Sequence, residues 1–442
     1  MIVMKFGGSS VSDGPRIRNV IEIVRSRLDR KPVVVASAFR GVTDDLFAAA
    51  EEALSGKDGH FDRIWDRHEA VLADLGLSRD LVKEVLAELA VLLKGISLVK
   101  ELTPRTLDYV VSFGERLSTR IIAAAFEKAG VPASQHDAFD IGMLTDDQFG
   151  SAQPLPEAEE ELRRHVTGLN RLPVVTGYVG KTRGGDITTL GRNGSDFTAT
   201  IVGAAIGAEE IQIWSDTDGV MTADPRLVPT ARPIAFLTFD EASELAYYGG
   251  KVLHPSTIVP AIRKGIPVKV LNTFKPGHPG TTILSKIDSP QKGVKSIAHH
   301  LSNFVVNIRS SRMLMGHGFL ARLFGVFAEH RVVVNMVSTS EVTVSVTVDS
   351  ARRLDAAVES LSKFADVTVE ERRTVVCVVG EGLRSTPGVA GLVFEALREA
   401  GVNVLMISQG ASKINVAFVV DDRDAETAVR ALHRKFFDDA KG

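Results

Sequence analysis

"MIVMKFGGSSV", residues Met1–Val11, is an apolar run that stops abruptly in a lysine, two glycines and two serines. A strand ending in this way has two readings. Glycine is the residue of tight turns, because it adopts backbone conformations that other residues avoid. Backbone N–H groups of a glycine turn beside a lysine also make a cradle for an anion, phosphate above all. The stretch alone leaves both readings open, and the remainder of the chain must choose.

That remainder alternates. "PVVVASA" (32–38), "LPVVTGYVG" (172–180), "EIQIWSD" (210–216) and "IPVKVLN" (266–272) read as strands, and amphipathic stretches at 151–168 and 195–207 read as helices. Short apolar strands alternating with helices predict an α/β domain whose mostly parallel sheet is covered on both faces. Ligands of such sheets bind beyond the carboxyl ends of the strands. The unusual residues fall there: Lys5 to Ser10, Ser37 to Thr43, Gly177 to Gly180 and Ser215 to Gly219.

At 442 residues two or three domains are expected. A net charge of −3 without a long basic run argues against nucleic acid and anionic membrane surfaces as partners, so any phosphate chemistry needs locally placed cations. No signal-type segment and no run of 18 apolar residues is seen, and a cytoplasmic protein is expected. The single cysteine, Cys377, lies in the apolar run "TVVCVVG" and reads as a packing residue rather than a nucleophile.

"KPGHPGTTILSKIDSPQKG" breaks the pattern with clustered proline, glycine and lysine, and marks a domain boundary near 275–292. Beyond it the chain repeats. "GFLARLFGVFAEHRVVVNMVS" (318–338) and "GVAGLVFEALREAGVNVLMIS" (388–408) superpose at an offset of 70, with Gly318/Gly388, Phe324/Phe394, Val332/Val402, Val334/Val404, Met336/Met406 and Ser338/Ser408 identical. Six identities in register indicate an internal repeat of strand, helix, strand, strand, helix, strand.

Four further stretches carry chemistry-bearing residues. "SFGERLSTR" places Glu115 early in a helix, with Ser118 and Thr119 on the same face. "GRNGSDFTAT" puts Arg192 in a glycine-rich turn and Asp196 at a helix start, where the plain reading is a cap. "WSDTDGVMTADPR" holds three aspartates and Arg226, which read plainly as turn formers and an ion-pair residue. "YYGGKVLHPST" repeats the glycine-pair-and-lysine theme at Lys251, and its His254 reads as a structural hydrogen-bonder. No G-x-x-x-x-G-K-[ST] is present, which argues against a P-loop enzyme, and no G-x-G-x-x-G follows the first strand, which disfavours a Rossmann dehydrogenase.

"KFGGSSV", "SFGERLS", "GRNGSDFTA", "WSDTDGVMTADPR" and "GGKVLHPST", in that order, resemble aspartate kinases of the amino-acid kinase family, and the tandem repeat resembles their paired ACT domains. The resemblance implies an amino-acid kinase fold, an open αβα sandwich over 1–285, followed by two ACT-type βαββαβ units over 293–442 (the first about 303–368, the second about 293–302 plus 369–442). It implies ATP-dependent phosphorylation of the L-aspartate β-carboxylate, the step that opens lysine, threonine and methionine synthesis. No general base is required, because a carboxylate is already ionised at neutral pH.

The same resemblance implies roles for residues. Lys5 and Asp196 would be catalytic; Lys5, Gly7, Gly8, Ser9, Ser215, Asp216, Met221, Arg226, Lys251 and Val252 would bind ATP, with Mg²⁺ bridging its phosphates. Thr43, Glu115, Arg192 and Asp196 would bind aspartate. Met313, Gly318, Phe319, Leu320, Asn335, Ser340 and Glu341 would form a pocket for a regulatory amino acid, lysine or threonine or both, in a homodimer or larger assembly joined through the ACT units. Three departures stand out: Asn193 where the family has glycine, Met221 where many relatives have tyrosine, and the neutral Asn335 where lysine-inhibited relatives carry aspartate. Asparagine tolerates a left-handed backbone, so the Asn193 turn is expected to survive. Two alternatives stand beside this reading: a sister kinase acting on glutamate, acetylglutamate or a nucleotide, and an amino-acid sensor that has lost turnover.

Overall fold

The structure, a computed structural model, describes residues 1–442 apart from 57–58, 249–253, 288–292, 314–316, 385, 411–413 and 440–442. The chain divides into two compact units, Met1–Val220 with Ala235–Phe239 and Val252–Ile287, and Met221–Ile234 with Asp240–Lys251 and Asp288–Gly442. Two segments upstream of the proline-rich stretch therefore pack with the second unit. Composition shifts report where a chain changes character, and this division follows contacts instead.

The strands of the first unit are β1 (Ile2–Phe6), β2 (Pro32–Ala36), β3 (Ala133–His136), β4 (Leu172–Thr176), β5 (Val179–Lys181), β6 (Ile187–Thr189), β7 (Glu210–Ser215), β8 (Phe236–Thr238), β9 (Val268–Asn272) and β10 (Thr281–Leu284). Its helices are α1 (Gly14–Arg25), α2 (Val42–Ser55), α3 (Gly59–Leu75), α4 (Asp80–Val99), α5 (Pro104–Lys128), α6 (Ala158–Thr167), α7 (Gly194–Ile206), the first residue of α8 (Phe239–Tyr247), and α9 (Pro255–Lys264). Eight strands form one sheet in the order β3-β4-β2-β1-β7-β9-β10-β8, parallel throughout except between β9 and β10. The apolar strands are buried because helices cover both faces; every residue of β2 and β4 is buried.

Strand order reverses at β1, which has β2 on one side and β7 on the other. A crevice opens where successive connections leave a sheet in opposite directions, so the loops after β1, β2 and β7 converge on one place. The expected helix at 151–168 is shorter, starting at Ala158. Pro154 and Pro156 explain the loss, since the residue before a proline is pushed out of the helical region.

Helix α5 is capped by the Thr103 hydroxyl, which accepts the Thr106 N–H, and Pro104 supplies its first turn. Its Asp108 is buried and accepts hydrogen bonds from the Gly150 N–H at 2.9 Å, the Thr189 N–H at 2.8 Å and the Thr189 hydroxyl at 2.9 Å. Three donors on one carboxylate tie the β5–β6 hairpin to the helix.

In the second unit β11 (Ser296–Arg309), β12 (Val337–Thr339), β13 (Thr343–Val348), β14 (Asp366–Val379), β15 (Met406–Ser408) and β16 (Asn415–Asp421) form a sheet in the order β12-β13-β11-β14-β16-β15, antiparallel throughout. Helices α10 (Phe319–Glu329), α11 (Leu354–Ser362), α12 (Val389–Glu399) and α13 (Ala425–His433) complete the two repeats. The long strand β11 serves both copies. Its first part, 296–300, pairs with 375–379, and its second part, 303–309, pairs with 366–373 and with β13, with register shifts at Asn303. Each repeat keeps its own core, Val306, Leu323, Phe327 and Leu361 in one and Val376, Val393, Phe418 and Leu432 in the other. Cys377 is wholly buried and burial raises its thiol pKa well above the ordinary value, as befits a packing residue.

Replacing Asp108 by alanine strands the buried N–H and hydroxyl of Thr189, and should destabilise the chain by roughly 2–3 kcal/mol. A urea midpoint unchanged from the parent would show that the hairpin is held by other contacts.

Candidate active site

Lys5 lies on β1 between Val35 of β2 and Ile213 of β7. Its ammonium group meets Asp196 Oδ1 at 2.6 Å, with side chains only 12% and 6% exposed. The pair sits where β1 gives way to Gly7, whose N–H donates to the Trp214 carbonyl, and to a tight turn at Gly8–Ser10. A Cβ on Gly8 would stand 2.7 Å from the Ala38 carbonyl oxygen, a backbone atom that cannot step aside. Glycine is thus required by the close approach of the β1 and β2 loops.

Asp196 is presented by the first turn of α7. The residue in the capping position is Asn193, at φ 54° and ψ 30°, so the turn does survive the exchange of glycine for asparagine. With the cap position taken, the Asp196 carboxylate is available to face Lys5. Arg192, one residue before Asn193, is exposed. Gly177, after β4, could not carry a side chain either, because its Cβ would lie 2.5 Å from that of Ser195.

Glu115 lies in the middle of α5 rather than early in it, and is 3% exposed. Its carbonyl accepts the hydroxyls of Thr119 at 2.7 Å and Ser118 at 3.2 Å, and Ser118 also donates to the Ser37 carbonyl at 2.8 Å. Burial pushes the Glu115 carboxyl up to about 8, while the Ala38 N–H and the positive charge of Lys5 pull the other way. One oxygen, Oε2, has no hydrogen-bond partner among the described residues. A buried carboxyl with a spare oxygen near a lysine is built to receive a cation or donor. Thr43 opens α2 nearby in sequence, half-buried, after Gly41 at φ 83°.

Beyond β7, the Ser215 hydroxyl is 3.1 Å from that of Thr217, Asp216 is exposed, and Asp218 accepts from Asn272 Nδ2 at 2.6 Å and Lys275 Nζ at 2.7 Å. His254 precedes α9, and its Nδ1 is 2.8 Å from the Ser256 hydroxyl, a structural role. Met221 and Arg226 belong to the second unit, where Met221 pairs with Pro233 and Arg226 forms an ion pair with Asp224 at 2.5 Å. Lys251 and Val252 lie outside the described residues.

The amino acid kinase family profile matches residues 1–272, and an ACT domain profile matches 306–363 and 376–436. Aspartokinase 2, chloroplastic, of Arabidopsis thaliana is 43% identical over 99% of this chain and 84% of that protein. Lysine-sensitive aspartokinase 3 of Escherichia coli is 35% identical over 99% of both. The chain belongs to the aspartokinase family. Among solved structures, E. coli aspartokinase III in complex with aspartate and ADP superposes with a TM-score of 0.88 at 34% identity, over 99% of this chain and 100% of that one. The same enzyme in complex with lysine and aspartate gives 0.81.

The seven residues expected to read an effector all lie in the first repeat. Met313 and Phe319 pack against its core, Gly318 precedes α10 at φ 80°, Leu320 and Glu341 are exposed, and the Ser340 N–H donates to the Thr343 carbonyl. The Asn335 amide oxygen accepts the Tyr247 hydroxyl at 3.2 Å. Sequence reasoning marked the stretches Ser37–Thr43 and Gly177–Gly180 but gave Ser37, Ala38 and Tyr178 no individual role. The first two act through backbone atoms, which no side-chain pattern reveals. Tyr178 carries a signal in its setting: it is held at φ 70° between two glycine-linked segments, and its N–H donates to the Thr198 hydroxyl.

The Glu115 carboxyl also sets a pH dependence. Below about pH 4.5 folded and unfolded chains both carry its proton; between there and about pH 8 the unfolded chain loses the proton that the folded one keeps. Stability therefore falls as pH rises through that window. Glu115→Gln should remove this loss, so that its melting temperature gains on the parent from pH 5 to pH 8. Parallel profiles would mean that Glu115 ionises normally when folded.

Proposed function

We infer that this enzyme transfers the γ-phosphoryl group of ATP to the β-carboxylate of L-aspartate, and that an amino acid bound to the first ACT repeat restrains it. The observation that carries the reading is the Lys5–Asp196 pair beside Gly7 and Gly8 at the point where the sheet reverses. Both reactants are anions, so the site's work is neutralising charge and aligning the two oxygens with phosphorus. Lys5 supplies that charge where phosphate oxygens would enter, and the Gly7–Ser9 backbone offers N–H groups. Asp196 holds Lys5 in place and keeps its ammonium group from turning elsewhere.

On the substrate side, Glu115 would take the α-ammonium group, which draws its carboxyl back to the ionised form. Arg192, exposed and able to fork around a carboxylate, would hold an aspartate carboxylate with Thr43. Ser215 and Asp216 would meet the nucleotide. Mg²⁺ would be carried in on the phosphate oxygens of the nucleotide. It would screen phosphate charge there. The solved relative with aspartate and ADP supports the substrates, and the one with lysine supports a regulatory amino acid.

The neutral Asn335 attracts an ε-ammonium group less than a carboxylate would, and its amide oxygen is already engaged by Tyr247. Lysine and threonine are therefore both to be tried as effectors.

With ATP, L-aspartate and hydroxylamine the enzyme should form aspartyl hydroxamate, and lysine, threonine or the two together should lower the yield. Lys5→Ala should reduce kcat on the order of 10²–10³-fold while leaving effector binding intact by calorimetry. Near-full turnover of that variant would overturn the phosphate-cradle assignment. Hydroxamate from glutamate or acetylglutamate but not from aspartate would move the chain to a sister kinase.

A further inference from the structure

The stretch Ser37–Thr43 borders the candidate site in the first unit at Glu115, Gly8 and Ser118. Its Ala38 N–H faces the Glu115 carboxyl, its Ala38 carbonyl closes on Gly8, its Ser37 carbonyl accepts from Ser118, and it delivers Thr43. Between the Ser37 N–H, which donates to the Phe6 carbonyl at 3.1 Å, and the start of α2 at Val42 the stretch has little regular bonding, so contacts from outside help to hold its shape. The contacts on its far side come from α3. Arg67 donates from Nη1 to the Arg40 carbonyl at 2.7 Å and from Nη2 to Asp45 Oδ2 at 3.2 Å. The next residue, His68, is fully buried and stacks on Phe39 with ring centroids 5.1 Å apart. The His68 Nδ1–H donates to the Ile64 carbonyl at 2.7 Å, and burial lowers the ring's pKa to about 4, so the stacked imidazole is neutral.

We propose that Arg67 is a positioning residue for aspartate binding, acting through the Ser37–Thr43 loop that its guanidinium fork braces at Arg40 and Asp45. The inference rests on the reading of aspartate as the substrate held by Glu115, Arg192 and Thr43. One arm of the fork holds the backbone at the loop's crest and the other holds the first turn of α2, so together they fix the angle at which the chain passes from loop to helix. Gly41, at φ 83°, is the bend between them, and its Cβ position lies 3.6 Å from Arg67 Nη1. The guanidinium is 41% exposed, and such a pair contributes little to global stability. Its effect should appear in the geometry of the loop rather than in the melting temperature. That contrast separates positioning from a merely structural role.

The test is steady-state hydroxamate kinetics on the full chain with Arg67→Ala, Arg67→Lys and Asp45→Asn, beside Glu115→Gln and Arg192→Ala. Arg67→Ala should raise KM for aspartate on the order of 10-fold to 10²-fold, since displacements of about 1 Å cost that much. KM for ATP should change by less than about twofold and the melting temperature by a few degrees at most. Arg67→Lys should fall between, because an ammonium group cannot fork, and millimolar guanidinium should restore part of the loss in Arg67→Ala. An unchanged aspartate KM in Arg67→Ala, or parallel rises in both KM values with a lowered melting temperature, would overturn the proposal. Should Arg67→Ala fail to fold, Asp45→Asn, which keeps the Arg40 contact, decides by the same split. If Glu115→Gln and Arg192→Ala leave aspartate KM untouched, the substrate reading itself fails, whatever Arg67 does.

Discussion

Lys5 and Asp196 meet at 2.6 Å where water scarcely reaches, and the site is arranged around that pair. A lysine on the central strand of a parallel sheet would be a costly resident without an opposite charge, because burial of an unpaired ion costs several kcal/mol. A carboxylate in the first turn of a nearly buried helix has the same need. The pairing answers both, and it holds the Lys5 ammonium group where the strand order reverses. The loops that close around the pair do so on backbone: Gly7 and Gly8 from β1, Ala38 from β2, and Gly177 after β4, which packs against Ser195. Gly8 and Gly177 carry no side chain because the segments that face them pass too close to admit one.

Glu115 shows the other side of the same economy of charge. It is as buried as Asp196, and that burial shifts its carboxyl up to about 8 while one oxygen keeps no partner among the described residues. In the proposed reading the two groups would divide the work, the fixed cation meeting phosphate and the raised carboxyl meeting an ammonium group. The two carboxylates differ by partner, not by depth.

The second unit uses a different device. Two copies of one motif share a sheet because β11 and β14 run through both, with the register slipping at Asn303. Strand sharing makes the copies one body, while their cores remain separate. The first copy holds the residues with polar and exposed character at the α10 start, and Tyr247 reaches it from α8 within the same unit.

Much of this is legible in the chain itself. Period and length of the apolar runs dictate a parallel α/β sheet, an offset of 70 dictates the repeat, and ordered short motifs carry the family. The glycine pair after Lys5 is readable for a physical reason: glycine is the residue that admits a close approach of backbone, as Gly8 makes to Ala38. Other features are hidden from it. A cap is the plain reading of Asp196, and only the left-handed Asn193 shows that the capping position is already occupied. Helix α6 loses about two turns of its expected start to two prolines. The packing of 221–234 and 240–251 with the second unit, the protonation of Glu115, and the brace of Arg67 on the Arg40 carbonyl all arise between residues distant in sequence. Local pattern determines which elements form, because periodicity and propensity act over a few residues. Burial, charge pairing and backbone approach depend on what the fold brings alongside, and only the tertiary structure decides them.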